Sequence, residues 1–222
     1  MHKIDFCFAS LLVYNSNMGN ANEGGQEGLT LDHDFVQRWC DKYDEIFRGS
    51  YDEIEEKAIR TWLNKQSEPK YLNKEYFVRL GRWKTKRQTS NYEANDQNTI
   101  IEVTRSAYQA SDPLIKLSIL RTLRGVGVAV AGTILHYLHP EKLPIFDYHA
   151  RTTLKKANLW HRDVKDDSEQ AWLEYTQIMN ELAKGLGVSL RDLDKALFAY
   201  DKYGPGKITH RSHMKHGDKR EA

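Results

Sequence analysis

The stretch Leu123-Arg124-Gly125-Val126-Gly127-Val128-Ala129-Val130-Ala131 sets two glycines, one residue apart, between two helical patterns. Glycine reaches backbone angles closed to other residues and puts no side chain in the way of a close approach. The amides that open the following helix point outward with the positive end of its dipole, so such a turn can hold a phosphate. The same glycines would also suit a plain helical hairpin whose helices pack closely. Twenty residues beyond Gly127 stands Asp147, in Pro144-Ile145-Phe146-Asp147-Tyr148-His149-Ala150-Arg151. Asp147 can cap a helix over Tyr148–Ala157, and a carboxylate fixed at a helix start can also act electrostatically; the two roles are compatible. His149 reads as a structural hydrogen-bonder. Arg151 either contacts a phosphate or pairs with an acid.

A second cluster is cationic. Arg79, Arg82, Lys84, Lys86 and Arg87 surround Trp83 within nine residues. Clustered cations around an aromatic suit a nucleic-acid backbone with a stacked base, while any one of them taken singly is better read as part of a solvated face. Residues 70–87 carry seven basic side chains and one acidic, whereas residues 41–59 carry seven acidic and three basic. Net charge over the chain is only +2, so it is this segregation, not bulk charge, that suggests a polyanion footprint. His136 and His139, like His210, His213 and His216, lack the carboxylate or cysteine context of a metal site, and no metal is placed on them.

The elements that position these groups are helical. Phe35, Trp39, Tyr43, Ile46 and Phe47 form one apolar stripe, and Ser50 to Glu53 has capping-box spacing before Ile54, Ala58, Trp62 and Leu63. Tyr71–Lys86 supplies another helix, and Asn91–Asn98 reads as a polar turn. Ser111-Asp112-Pro113 starts a helix carrying Leu114, Leu117 and Leu120; a second runs over Val128–Leu138 and stops before Pro140. Trp172, Tyr175, Met179, Leu182 and Leu186 make a stripe closed by Gly187, and Ser189 opens a last helix. No strand alternation appears, so the fold expected is all-α, a helical bundle. Residues 1–29 read as a flexible lead, 30–200 as the helical domain and 201–222 as a basic, His-containing tail.

At 222 residues the chain can bury a sizeable core, and 40% hydrophobic with 29% charged residues excludes a disordered or collagenous chain. Its longest apolar run, Val126–Leu135, falls well short of the roughly 20 residues of a membrane span. Asp5 and the lack of a small-residue cleavage site argue against a signal peptide at Met1–Val13. Cys7 and Cys40 provide neither a disulfide framework nor a thiolate metal site. These features read together as a soluble, cytoplasmic protein.

The two motifs resemble the helix-hairpin-helix DNA glycosylase superfamily, which includes endonuclease III, the adenine-specific mismatch glycosylase and the alkyl-purine glycosylases. That superfamily has an L-P-G-V-G hairpin, then an essential aspartate in a D-x-H-x-x-R-like segment. Leu123 to Gly127 and Asp147 to Arg151 match in type and order, with Asp147 twenty residues after Gly127, while Arg151 stands one residue nearer to His149 than that pattern has its arginine. The resemblance is best over residues 112–157. It implies a helix-hairpin-helix that binds double-stranded DNA through Leu123, Arg124, Gly125, Val126, Gly127 and Ala129. It also implies that Asp147 assists departure of a flipped base by stabilising positive charge on the sugar. The basic residues 79–87 and Arg151 would add DNA contacts, and Trp83, Tyr148 and Trp160 are candidate stacking groups.

Three departures refine the expectation. Ala129 stands where bifunctional members carry a nucleophilic lysine, which implies hydrolysis without lyase activity. No cysteine follows Cys40, so no iron–sulfur cluster is expected, nor any other cofactor. Arg124 replaces the hairpin proline, loosening the turn while adding a phosphate-facing charge. The sequence thus reads as a monofunctional DNA N-glycosylase with Asp147 as its carboxylate. The alternative is a non-catalytic DNA-binding protein on the same scaffold.

Overall fold

The computed structural model describes residues 28–207. The expected lead over 1–29 falls almost wholly outside the described residues, as do Cys7 and the tail histidines 210, 213 and 216. Ten α-helices occupy the described chain: α1 His33–Phe47, α2 Tyr51–Asn64, α3 Lys74–Lys84, α4 Thr89–Glu93, α5 Gln97–Gln109, α6 Pro113–Leu120, α7 Val128–Leu138, α8 Tyr148–Lys156, α9 Glu169–Leu186 and α10 Leu190–Tyr203. A single 3-10 turn, Lys86–Gln88, joins α3 to α4, and no strand occurs among the described residues. The all-α expectation holds.

Side chains set the helix starts. Asp32, Ser50, Asn73, Asp96, Asp112, Asp147, Ser168 and Ser189 each accept a hydrogen bond from a backbone N–H in the first turn of the helix they open. Gly187 closes α9 in the left-handed region, φ +68°. The helix expected over Tyr71–Lys86 is shorter. It begins after Asn73, whose side chain accepts from Tyr76 N–H at 3.0 Å, and it ends where Thr85 extends to cap the 3-10 turn. The expected polar turn over Asn91–Asn98 narrows to Ala94–Asp96, because Tyr92 is fully buried and draws α4 inward. The sequence reading assigned no helix to α5. Thr99, Ile100, Ile101, Val103 and Thr104 are β-branched and weak helix formers, and the Asp96 cap and a buried Ile100–Thr104–Ala107 face overcome that weakness.

The core sits around α7, in which ten of eleven residues are buried. Burying side chains such as Ile134, Leu135 and Leu138 contributes roughly 1.5–3 kcal/mol each. α9 approaches α7 at Gly132, where a Cβ would come within 2.7 Å of Trp172 Nε1. α10 lies against α1 on one side and α8 on the other. That position holds the start of α8, with Asp147, over the middle of the molecule, where α3 also ends.

Candidate functional site

The turn between α6 and α7 is built from both sides of its backbone. Leu123 and Val126 are buried, while Arg124 and Gly127 are exposed. Gly125 has φ +83°, and a Cβ there would lie 2.9 Å from the Tyr92 ring and 3.0 Å from Asn91 Cβ. The opposite edge of the Tyr92 ring presses on Gly81 of α3, where a Cβ would come within 2.7 Å. One buried tyrosine therefore couples the glycine turn to the basic helix. The Asn95 side chain completes the lock: its Oδ1 accepts from Arg124 N–H at 2.8 Å, and its Nδ2 donates to Arg124 C=O at 3.1 Å. These bonds fix the turn that Arg124, standing in place of proline, was expected to loosen.

Among the described helices of eight residues or more, α7 alone starts without a side-chain cap. Its N-cap is Gly127, and a Cβ there meets nothing within 4 Å. The first amides of α7 thus have no side-chain acceptor, the condition in which a helix start can receive an anion. Ala129, in this first turn, is half-buried.

The cationic segment divides. Arg82, Lys86 and Arg87 are exposed, and Lys86 Nζ lies 5.5 Å from the centre of the exposed Tyr51 ring. Arg79 is engaged within the fold, donating to Glu55 at 2.7 and 3.2 Å and to Glu75 at 3.2 Å. Lys84 turns inward. Arg151 requires correction: it is 3% exposed, and its guanidinium stacks 4.0 Å from the Phe146 ring centre. It also donates to Asp166 C=O at 2.6 Å and to Asp167 at 2.8 Å. It ties α8 to the 160s loop and offers nothing to DNA. Trp160 is likewise in the core, 1% exposed, and cannot stack on a base. Trp83 is half-buried, donating its indole N–H to Asp52 C=O at 3.1 Å, and Tyr148 is exposed at the start of α8.

Asp147 caps α8, one of the two roles foreseen for it, and pairs with Lys84. Its Oδ1 accepts from His149 N–H at 2.8 Å, capping α8, and its Oδ2 accepts from Lys84 Nζ at 2.9 Å. Burial opposes its charge, yet the Lys84 ammonium and the His149 amide outweigh burial and hold the carboxyl down at about 2. Asp147 and Lys84 line a pocket of about 260 Å³ whose walls include Trp83, Ile145 and Phe198. Its volume suits a single flat ring system. Tyr43, Phe47 and Arg191 are shared with an adjoining cleft of about 460 Å³ that runs between α1, α2 and α10.

Two groups of this pocket escaped the sequence reading in its terms. Lys84 was placed with the DNA-facing cations, and only the fold brings it to Asp147. Asp194 was not singled out. Its Oδ2 accepts from Arg191 at 2.5 Å, and its Oδ1 has no protein partner. Burial pushes its carboxyl up to about 7 against the pull of Arg191. That guanidinium also donates to Glu56 at 2.9 and 2.5 Å and to the Tyr43 hydroxyl at 3.1 Å. The signal available was an acid on the apolar stripe Leu190, Leu193, Leu197 of the last helix.

The helical histidines are structural. His136 is buried, with Nδ1 on Leu143 C=O at 2.8 Å and Nε2 accepting from Arg60 at 3.1 Å. Burial and the Arg60 charge bring its pKa down to about 3. His139 stacks on Tyr108 and lies 3.0 Å from Lys116 Nζ; burial, then Lys116, brings it down to about 4. His149 shares a 2.8 Å hydrogen bond with the buried Asp201. No group of three or more His, Cys, Asp or Glu side chains among the described residues could hold a metal ion. No described helix is long and apolar enough to cross a membrane. Comparisons with models of known families, with curated proteins and with solved structures give no match.

Proposed function

We propose that this protein is a DNA-binding, base-excising N-glycosylase of the helix-hairpin-helix type, hydrolysing the glycosidic bond of a flipped base with Asp147 as its carboxylate. The observation that carries this reading is an ionised, sheltered carboxylate in a base-sized pocket, on a fold that also presents an uncapped helix start. The α6–turn–α7 unit would hold a DNA phosphate on the first amides of α7. Arg124, Arg82, Lys86 and Arg87 would supply sequence-independent attraction to the backbone. A base swung into the pocket would bring its sugar toward Asp147, whose negative charge favours the oxocarbenium-like transition state. Lys84 keeps that carboxylate ionised and oriented.

The reading is tested by base release from duplexes carrying damaged or mismatched bases, comparing wild type with Asp147→Asn. Wild type is expected to release a base, and Asp147→Asn to bind DNA equally but turn over at least about 100-fold more slowly. One observation favours a second reading: both oxygens of Asp147 already have partners, Lys84 and the α8 amide. On that reading Asp147 only caps and pairs, and the protein binds DNA without chemistry. Tight binding with no release from any duplex would select it.

A further inference from the structure

The cleft between α1, α2 and α10 adjoins the Asp147 pocket, and the reaction sketched above leaves it unused. Its volume of about 460 Å³ lies within the roughly 300–1,000 Å³ of small-ligand sites, and no residue of the α6–α7 turn lines it. Its walls hold five cations against three acids. Two cations are matched one to one: Lys57 donates to Glu53 at 2.7 Å, and Lys195 to Asp44 at 2.8 Å. Glu56, the third acid, has to serve two guanidinium groups. It accepts from Arg60 at 3.1 Å and from Arg191 at 2.9 and 2.5 Å, three of the about four bonds a carboxylate can take. Burial opposes its charge, but Arg191 and then Arg60 outweigh burial and hold the carboxyl down at about 2. Asp194, on the wall of the other pocket, takes one further N–H of Arg191. The surplus charge falls on Arg60 and Arg48. Half-buried Arg60 spends one N–H on the neutral His136 ring, and its Nη1 has no acceptor among the described residues. Arg48 is exposed at the end of α1 and forms no salt bridge among the described residues.

Tyr43 and Phe47, whose rings stack 4.5 Å apart, and Arg191 belong to both cavities. The two therefore meet along one wall, and a single ligand can set a flat ring beside Trp83 and Phe198 and a negative group among the guanidinium groups. We infer that the cleft is a phosphate subsite, in which Arg48 and Arg60 receive the phosphate of the same nucleotide whose base fills the pocket. The inference rests on the base-pocket part of the glycosylase reading and not on its chemistry. Arginine suits the task, because its planar fork bonds two phosphate oxygens at once and never loses its charge. A cleft with surplus positive charge also raises the local concentration of anions. This phosphate is distinct from the one proposed at the start of α7. A flipped nucleotide in a strand and a free nucleoside monophosphate offer the same chemistry here.

Deoxyadenosine and its 5′-monophosphate separate the subsite from the ring pocket. In ligand-observed NMR titrations of the full chain at low salt, the monophosphate is expected to bind at least about tenfold more tightly than the nucleoside. Arg48→Ala removes an exposed side chain with no salt bridge to lose, and should shrink that difference to about threefold or less. Lys202→Ala, on the wall of the pocket and outside the cleft, should leave it unchanged. A duplex tests the strand as the source. Replacing the phosphates flanking a damaged base by uncharged methylphosphonates should weaken wild-type binding at least about fivefold, and Arg48→Ala binding about twofold or less. A phosphate effect in the duplex assigns the subsite to a flipped nucleotide, and one confined to the monophosphate assigns it to a free nucleotide; either supports it. Equal binding of nucleoside and monophosphate, with no methylphosphonate effect, overturns the subsite and needs no variant. A phosphate effect that follows Lys202 rather than Arg48 also overturns it, as does the absence of binding by both small ligands and the duplex. Base release is scored separately. A phosphate effect at Arg48 without release from any duplex keeps the subsite and removes the glycosylase chemistry, and release without that effect does the reverse.

Discussion

The contact between Lys84 and Asp147 sets the electrostatics of the pocket. The two side chains are 13% and 19% exposed, so solvent screens them little. Lys84→Met would leave a carboxylate buried without its cation, costing on the order of 3 kcal/mol in chemical denaturation and raising the Asp147 carboxyl. Because Lys84 is bound to Asp147 as an ammonium, borohydride should trap no covalent protein–DNA adduct; a trapped adduct lost in Lys84→Met would make it a nucleophile. The two carboxylates load stability in opposite directions. Asp147 titrates lower in the folded chain than in the unfolded one, so its contribution, about 2 kcal/mol, is complete above about pH 4 and fades as pH falls toward 2. Asp194 titrates higher when folded, so its contribution is complete below about pH 4 and is lost as pH rises through 7. Melting temperatures should therefore show Asp194→Asn gaining on wild type between pH 4 and 8. A constant difference across that range would mean Asp194 is ionised throughout.

The bare start of α7 invites a test in which stability and binding move apart. Gly127 has extended backbone angles and room for a side chain, so Gly127→Asp can cap the helix and raise stability by a few tenths of a kcal/mol. The same carboxylate would sit where the proposed phosphate would bind, so on that proposal DNA affinity should fall at least about tenfold in a fluorescence titration. Gly125→Ala should act differently, destabilising by roughly 1–3 kcal/mol through its positive φ and the Tyr92 ring. Most helix stripes, the caps at Ser50, Asp112, Asp147 and Ser189 and the Gly187 stop were readable in the chain, because each is written within a few residues, whereas the caps at Asn73 and Asp96 were not read. α5 was not, since its β-branched residues weaken the local signal and burial decides. The hairpin turn and Asp147 were legible as motifs. Arg151 was misassigned because an arginine pattern carries no record of the Phe146 ring and Asp167 that engage it. Lys84 and Asp194 lie 63 and 47 positions from Asp147 in the chain, and only the fold brings them to the same pocket.

Taken together, the fold sorts its cations into those that face water and those spent internally. Arg82, Lys86, Arg87 and Arg124 are exposed, whereas Arg79, Arg151 and Arg191 are engaged by acids of the fold. If the four exposed cations each displace one counterion, a plot of log affinity against log salt should fall with a slope of about −3 to −4. A slope near zero would remove them as phosphate contacts. The Asn95 clamp bears on the same equilibrium from another direction. By holding both the N–H and the C=O of Arg124, it orders the loop when the chain folds, before any partner arrives. Association then carries little of the entropic penalty of freezing a glycine-rich segment. Asn95→Ala, which touches no phosphate, should thus weaken DNA binding chiefly through a less favourable entropy in calorimetry. The readiness of this turn for the proposed phosphate is in that sense set by a side chain twenty-nine residues upstream.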